Sequence, residues 1–214
     1  DPAFRSQFLE IGTAKGVKGV NLWMYGGSSY ASLTPLRKVD DFKGKKFRVL
    51  ATKIETGLMT ALGATGVPFD FLEVVPALQQ RTVDAVRANL VVMGSAKFYS
   101  VTKFVTEVDD GYIPEIGLIS MAFYSKFPGD LRAAIERAAQ EVEEDSFKVA
   151  QDFHANAAKL WTENGAEVIH LPPSEQAEFM RRARQVTENF IAGEPELQPL
   201  YKLLIETAKR RAGG

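Results

Sequence analysis

Hydrophobic and polar positions follow two different periods along the chain, and these periods predict its elements. Residues 45–51 (KKFRVLA) carry apolar side chains at every second position, which predicts a strand. Apolar runs at 20–25 (VNLWMY) and 117–124 (GLISMAFY) have strand length, and the first ends in the expected loop Gly26–Ser29. Residues 166–171 (AEVIHL) predict a further strand.

One predicted helix is much longer than the others. It runs from Leu131 to Glu163, begins after the N-cap Asp130 and is stopped by Asn164-Gly165. Its apolar stripe changes face about midway, so its two halves can pack against two different cores. Shorter helices are predicted at 4–15, 54–62, 72–81, 96–104, 175–191 and 197–211. Strands that alternate with helices indicate the α/β class.

Composition and charge exclude several classes of function. The 26 Lys and Arg residues nearly balance 27 Asp and Glu residues, which leaves no basic field for a nucleic-acid partner. The absence of cysteine excludes disulfides, thiolate metal sites and thiol nucleophiles. Apolar stretches such as Leu90–Met93 are far shorter than the roughly 20 residues of a spanning helix, so we expect no membrane insertion. The chain opens at Asp1 without a signal-peptide pattern, which indicates a processed or shortened chain.

Candidate catalytic groups are few. His154 and His170 fall in a helix and a strand without a ligand-spaced partner, so structural roles are expected. Gly26–Ser29 is not followed by a helix start, which favours a plain loop over a phosphate cradle. Glu141–Asp145 is interpreted as a solvated helix face and Asp109-Asp110 as a loop. We therefore predict no catalytic constellation, no metal site and no cofactor.

Four ordered stretches carry a resemblance to a known family. They are Asp41–Val49 (DFKGKKFRV), Leu62–Val74 with its LGA, VP and FLEV segments, Ala77–Asp84 (ALQQRTVD) and Lys97–Val101 (KFYSV). In this order and spacing they resemble the solute-binding proteins of TRAP (tripartite ATP-independent periplasmic) transporters, the DctP-like family. The segment Gly165–Leu171 continues the similarity towards the C-terminus.

The resemblance implies a two-lobed periplasmic-binding-protein-like fold with the long helix spanning both lobes. On that comparison, residues 1–25 and 114–153 form a partial first lobe, because the N-terminal part of that lobe has no counterpart here. Residues 26–113 and 154–214 form the second lobe, which carries the ligand-anchoring strand.

The resemblance also implies ligand capture instead of catalysis. We expect a periplasmic receptor that holds a small organic carboxylate in an interlobe cleft and delivers it to the membrane permease subunits of a TRAP transporter. Two alternatives stay open at this point. One is an α/β enzyme that acts on a small organic acid through carboxylates such as Asp84 or Glu73, and the other is a sensory ligand-binding module.

Arg48 is the expected anion anchor, since it matches the carboxylate-binding arginine of the family motif. A guanidinium suits this role because its planar fork donates two parallel hydrogen bonds to a carboxylate. The alternative role, which involves no ligand, is that of an arginine at a strand end in a surface ion pair. Phe71 matches a position that lines the cleft in relatives, although an ordinary core phenylalanine explains it equally well.

Three further residues are candidates for ligand contact. Arg87 stands where relatives often carry a polar or acidic residue that contacts the solute or a bridging metal ion. An arginine there argues against a cation-bridged ligand and suggests a second anion anchor, with a solvated loop arginine as the alternative. Asn89 is a candidate amide donor. Tyr112 is a candidate hydroxyl donor or a plain surface tyrosine. Whether the ligand carries one carboxylate or two stays open.

Overall fold

Helices and strands alternate along the chain. A computed structural model describes residues 1–212, with the backbone alone at Asp109, Glu144, Phe147, Arg211 and Ala212. In chain order the elements are α1 (Pro2–Glu10), β1 (Val17–Ser32), β2 (Lys46–Val49), α2 (Lys53–Ala61), β3 (Thr65–Pro68), α3 (Val74–Gln79), β4 (Ala85–Asn89), α4 (Leu90–Ser95), β5 (Phe104–Ser120), α5 (Met121–Tyr124), α6 (Gly129–Glu163), β6 (Glu167–His170), α7 (Pro173–Ala192) and α8 (Gln198–Ala212).

The chain divides into two compact units. Unit 1 contains Asp1–Tyr25, Pro114–Ala150 and the segment that begins at Ile191, and unit 2 contains Gly26–Ile113 and Gln151–Phe190. The predicted long helix is confirmed as the 35-residue α6, whose first part belongs to unit 1 and whose last part belongs to unit 2.

Unit 2 is built on a mostly parallel sheet. The strand order is β3-β2-β4-β1-β5-β6. Strand β2 pairs in parallel with both β3 and β4, while β1 runs antiparallel to β4 and β5 runs parallel to β6. In this register Arg48 lies between Val67 on β3 and Val86 on β4.

Apolar clusters cover both faces of this sheet. The first cluster joins strand residues to helices α2 and α7, and includes Tyr30, Phe47, Val49, Ala85, Met59 and Phe179. The second cluster joins the opposite face to α4 and α6, and includes Ala31, Val86, Leu90, Met93 and Trp161. Successive residues of a strand point to opposite faces, so these clusters identify the face on which each polar side chain lies.

Two strands are longer than predicted. Strand β1 continues through the expected loop Gly26–Ser29, because Ser28–Ser32 pairs with β4, with Ser28 opposite Asn89. Strand β5 takes in Asp110, which was interpreted as part of a loop, and ends at Ser120, so that Met121–Tyr124 is a short helix and not strand. Both differences arise from pairing between distant segments, which a local pattern does not contain.

The C-terminal segment belongs to a different unit from the one predicted. Residues 154–214 were assigned to the second lobe, of which 213 and 214 lie outside the described residues. The structure groups the segment from Ile191 with unit 1, because α8 packs against α1 and Arg210 pairs with Asp1 at 2.9 Å. The boundary within α6 falls at Ala150 instead of residue 153.

Within unit 1, one acidic side chain of α6 ties three elements together. Glu143 accepts hydrogen bonds from Arg5 Nε at 2.5 Å and Nη2 at 2.9 Å, and from the backbone N–H of Leu22. Only 12% of the side chain is exposed, so the prediction of a solvated acidic face is wrong at this residue. The cause is Arg5 on α1, because its positive charge offsets the free-energy cost of burying the Glu143 carboxylate.

Candidate functional site

The first polar feature of unit 2 is Arg48, the penultimate residue of β2. The residue is 6% exposed, and its Nε and Nη2 donate to the backbone oxygen of Phe69 at 3.1 and 3.0 Å. Within the described part of the chain, Arg48 has no carboxylate partner, and Nη1 makes no hydrogen bond. The predicted alternative of a surface ion pair therefore does not describe this residue.

The Phe69 carbonyl oxygen orients the guanidinium of Arg48 and leaves one of its edges open. The carbonyl occupies the edge formed by Nε and Nη2, so Nη1 and the second hydrogen of Nη2 remain for an external acceptor. Burial lowers the pKa of Arg48, and the nearby charges of Glu55 and Asp70 act in the opposite direction. An arginine stays protonated under such conditions, so the open edge carries a buried positive charge.

Phe71 forms one wall beside this guanidinium. The centre of the guanidinium lies 5.6 Å from the centroid of the Phe71 ring, within the range of a cation–π contact. Phe71 is half-buried and stacks on Phe98 with a centroid separation of 5.3 Å. Both interpretations of Phe71 therefore have a basis, because the ring packs against the second cluster and also borders Arg48.

The second polar feature is a buried network centred on Arg87 of β4. Its Nη1 bonds Glu55 Oε1 at 2.7 Å, and its Nη2 bonds Ser28 Oγ at 3.0 Å. Its Nε bonds both the Tyr30 hydroxyl oxygen and Asp110 Oδ2, each at 3.1 Å, and Nη2 also lies 3.1 Å from Asp110 Oδ2. Each nitrogen of Arg87 thus faces an acceptor of the protein itself.

The partners of Arg87 are held in place by other contacts. Ser28 donates to Asp110, and Tyr30 donates its hydroxyl to Asp110 Oδ2 at 2.7 Å. Glu55, in the first turn of α2, accepts the Leu50 backbone N–H at 2.7 Å through its other oxygen. The side chains of Arg87 and Glu55 are each 12% exposed, and that of Asp110 is 1% exposed, so the network is largely dry.

Burial and charge decide the protonation of this network. Burial raises the pKa of Tyr30 well above its usual range, and the neighbouring Asp110 raises it further, so the hydroxyl remains a donor. Burial alone would lower the pKa of Arg87, but its interactions with Tyr30, Asp110 and Glu55 outweigh that effect and raise it. Arg87 is a fixed cation between two carboxylates.

The two arginines project from opposite faces of the sheet. Arg48 lies opposite Val86, a member of the second cluster, whereas Arg87 lies opposite Tyr30, a member of the first. The prediction that Arg87 is a second anion anchor therefore finds no geometric support, and neither does the alternative of a solvated loop arginine, because Arg87 is a mostly buried strand residue.

Asn89 and Tyr112 differ in what surrounds them. The Asn89 side chain accepts from Val91 N at 2.8 Å at the start of α4 and donates to the Gly27 oxygen at 3.1 Å, which makes it a helix cap. A Cβ atom at Gly26, whose φ is +123°, would approach Asn89 Nδ2 to 2.8 Å. Tyr112 lies on β5, two residues after Asp110, with 63% of its surface exposed.

Both histidines lie beside the same carboxylate, that of Glu107. His154 Nε2 lies 2.7 Å from Glu107 Oε1, and His170 Nδ1 lies 3.6 Å from Glu107 Oε2. Among the side chains that the structure describes, no group of His, Asp and Glu is arranged to hold a metal ion. Over the same residues, no helix is both long enough and apolar enough to cross a bilayer.

Sequence reasoning missed four members of the Arg87 network, namely Ser28, Tyr30, Glu55 and Asp110. Ser28 and Asp110 were assigned to loops, and Tyr30 and Glu55 were not considered. One signal was available in β5, because Val108 and Asp110 have the spacing of a single strand face. A carboxylate that continues an apolar face requires a buried cation, and Arg87 meets that requirement.

Comparison with known proteins places this geometry in context. The family described as bacterial extracellular solute-binding protein, family 7 (DctP) matches residues 4–194. The C4-dicarboxylate-binding periplasmic protein DctP of Rhodobacter capsulatus is 30% identical over 157 residues, which cover 73% of this chain and 47% of the relative. The 2,3-diketo-L-gulonate-binding periplasmic protein YiaO of Escherichia coli is 28% identical over 193 residues, covering 90% and 58%. The chain spans about half the length of these curated relatives.

Solved structures show the same fold. A TRAP periplasmic solute-binding protein from Desulfovibrio salexigens with bound orotic acid has a TM-score of 0.91 and 24% identity, covering 97% of this chain and 67% of that one. A TRAP periplasmic solute-binding protein from Shewanella oneidensis with bound succinate has a TM-score of 0.81 and 28% identity, covering 86% and 61%. These matches confirm the predicted α/β two-lobed fold class and the resemblance seen in the motifs.

Proposed function

Because the chain belongs to the DctP family of bacterial extracellular solute-binding proteins, we propose that it is a receptor for a small organic acid in a TRAP-type transporter. The receptor works in the periplasm and passes its ligand to membrane permease subunits. Relatives named for C4-dicarboxylates and 2,3-diketo-L-gulonate, and solved structures with orotic acid and succinate, support this class of ligand.

The observation that carries the proposal is the open edge of Arg48. A buried guanidinium with one edge oriented by the Phe69 carbonyl and no carboxylate hydrogen-bonded to it is suited to receive a ligand carboxylate through two parallel hydrogen bonds. An incoming anion gains a strong interaction there because burial weakens the competition from water. Phe71 covers the neighbouring surface and favours an apolar or planar group next to the carboxylate.

This function calls for binding without turnover. The Arg48 anchor needs no nucleophile and no general base, since it acts through charge and hydrogen bonding alone. Recovery of the bound acid unchanged after prolonged incubation, measured by mass spectrometry, is the expected result. Conversion of the acid to a product would favour the enzyme alternative instead.

A thermal-shift screen of organic acids followed by calorimetry tests the anchor. Arg48→Gln should weaken binding of any acid found in the screen by about 2–4 kcal/mol, or roughly one and a half to three decades in affinity. The matched control is Arg184→Gln, because Arg184 is an exposed arginine on α7. Equal affinities for wild type and Arg48→Gln would show that the anchor assignment is wrong.

A further inference from the structure

We propose that the site in unit 2 is built for a ligand with one carboxylate and discriminates against dicarboxylates. This inference rests on the proposed function, and it narrows the class of organic acid that the Arg48 site takes. Three features of the residues around Arg48 and Arg87 support it.

The first feature is the number of guanidinium edges available to an external anion. Arg48 offers one edge, formed by Nη1 and Nη2, which matches the two oxygens of a single carboxylate. Arg87 offers no free edge to an external anion, because its three nitrogens already bond the protein's own acceptors. These are Glu55, Ser28, Tyr30 and Asp110. Of these two arginines, only Arg48 can therefore act as an anchor.

The second feature is the charge of the Arg87 network. One guanidinium lies between two carboxylates, Glu55 and Asp110, so the network carries an excess of negative charge. A second ligand carboxylate that approached Arg87 would meet this negative charge in a largely dry environment, where like charges repel strongly. It would also have to displace internal acceptors at 2.7–3.1 Å.

The third feature is the direction of the two arginines. They leave neighbouring strands on opposite faces of the sheet, Arg48 towards Val67 and Val86, and Arg87 towards Tyr30. A short dicarboxylate held by Arg48 is not aligned with the guanidinium of Arg87. The surface next to Arg48 is instead the aromatic ring of Phe71, which suits an uncharged part of the ligand.

The experiment compares dicarboxylates with their monoamides, which keep the size of the acid but remove one charge. Succinate, glutarate and adipate are each titrated against wild-type protein by calorimetry, alongside succinamate, glutaramate and adipamate. We expect the best monoamide to bind at least about tenfold more tightly than its parent dicarboxylate. A dicarboxylate that binds as tightly as its monoamide, or more tightly, overturns the inference.

A variant of the network tests the cause of the discrimination. Glu55→Gln neutralises one of the two internal carboxylates, and its single side-chain oxygen can accept from either Leu50 N or Arg87 Nη1 but not from both. Because the charge of Glu55 acts on Arg48 as well as pairing with Arg87, the ratio of monoamide to dicarboxylate affinity should fall several-fold in this variant. An unchanged ratio overturns the role of the network. If Glu55→Gln does not fold, the comparison of dicarboxylates with their monoamides on the wild-type protein decides the inference by itself.

The outcomes separate this inference from the proposed function. If both acid forms bind, lose affinity in Arg48→Gln and show no preference for the monoamide, the inference fails and the receptor function stands. If none of these acids and no monocarboxylate in the screen binds, the receptor function fails, and the inference fails with it.

Discussion

Arg48 and Arg87 are the same residue type, on paired strands of one sheet, yet their surroundings give them opposite roles. Arg48 has a single internal partner, the Phe69 carbonyl, and keeps one edge of its guanidinium open. Arg87 lies between two carboxylates, a tyrosine and a serine, and has its three nitrogens engaged. Both are mostly buried.

The comparison teaches that burial of an arginine does not by itself indicate an anion site. What matters is whether the protein supplies the counter-charge. Where the protein supplies it, the arginine is part of the folded framework, and its removal leaves carboxylates buried without a cation. Where the protein supplies only a carbonyl, the arginine is oriented but still able to bind an external anion. Substitutions that separate stability from affinity test this distinction.

The largest expected effect is on stability in Arg87→Met. The variant leaves Glu55 and Asp110 without their cation, which should cost about 3–5 kcal/mol. For a chain of this size we expect the melting temperature to fall by roughly 10 °C, measured by calorimetry or circular dichroism. Arg184→Met, on an exposed helix position, is the control. A loss below about 1 kcal/mol would mean that the network is not a structural element.

A smaller loss of stability is expected for Tyr30→Phe. The ring is retained in its edge-on contacts with Phe42 and Phe179, but Asp110 loses the hydroxyl donor at 2.7 Å. Removing a hydrogen bond to a buried charge should cost about 1.5–3 kcal/mol in the free energy of unfolding, measured by urea titration. The same change at Tyr201, half-buried on α8, provides a comparison. If the two variants lose the same stability, the hydroxyl of Tyr30 has no special role.

Affinity, and not stability, should change in Arg48→Lys. An ammonium group keeps the charge but cannot offer two parallel hydrogen bonds, so we expect about tenfold weaker binding of the best acid. The melting temperature of the free protein should change little, because the lost internal contact is a bond to one carbonyl. Calorimetric titration and a thermal melt measure the two quantities on the same preparation. Full affinity in the lysine variant would show that charge alone holds the ligand.

The smallest effect is expected for a cluster of three charges at the helix surface, Glu178 with Arg181 and Arg182 on α7. Hydrogen bonds from Arg181 and then Arg182 lower the pKa of Glu178 from 4.5 to about 2. Because the pKa is lower in the folded protein, the stabilisation is present above pH 4.5 and is lost as the pH falls towards 2.

The measurement for this cluster is the difference in melting temperature between wild type and Glu178→Gln at a series of pH values. The difference should be small and constant above pH 5, shrink between about pH 4.5 and 2, and decrease in added salt, since exposed charges are screened. A difference that persists unchanged below pH 2 would mean that Glu178 acts through packing and not through its charge.

The sequence was sufficient for the elements whose determinants are local. The long helix α6 follows from its cap, its stop signal and its stripe, and β2 follows from the alternation around Phe47. The motif that contains Arg48 was recognisable for the same reason, because a short contiguous stretch specifies it. These features need only the order of residues along one segment.

Features that depend on distant pairing could not be predicted in the same way. Whether Arg87 is open or occupied depends on Ser28, Glu55 and Asp110, which lie 59, 32 and 23 residues away in the chain. The extension of β1 through Ser28 and Ser29 likewise requires β4 as a partner. Local propensity favoured a loop there, and strand pairing outweighed it.

Tyr30 has a consequence for any effort to retune the ligand preference. Its ring lies in the first apolar cluster and its hydroxyl lies in the charged network, so core packing and polar chemistry share one side chain. Directed evolution that starts from Tyr30 or Asp110 would lose folded protein before it sampled new specificities.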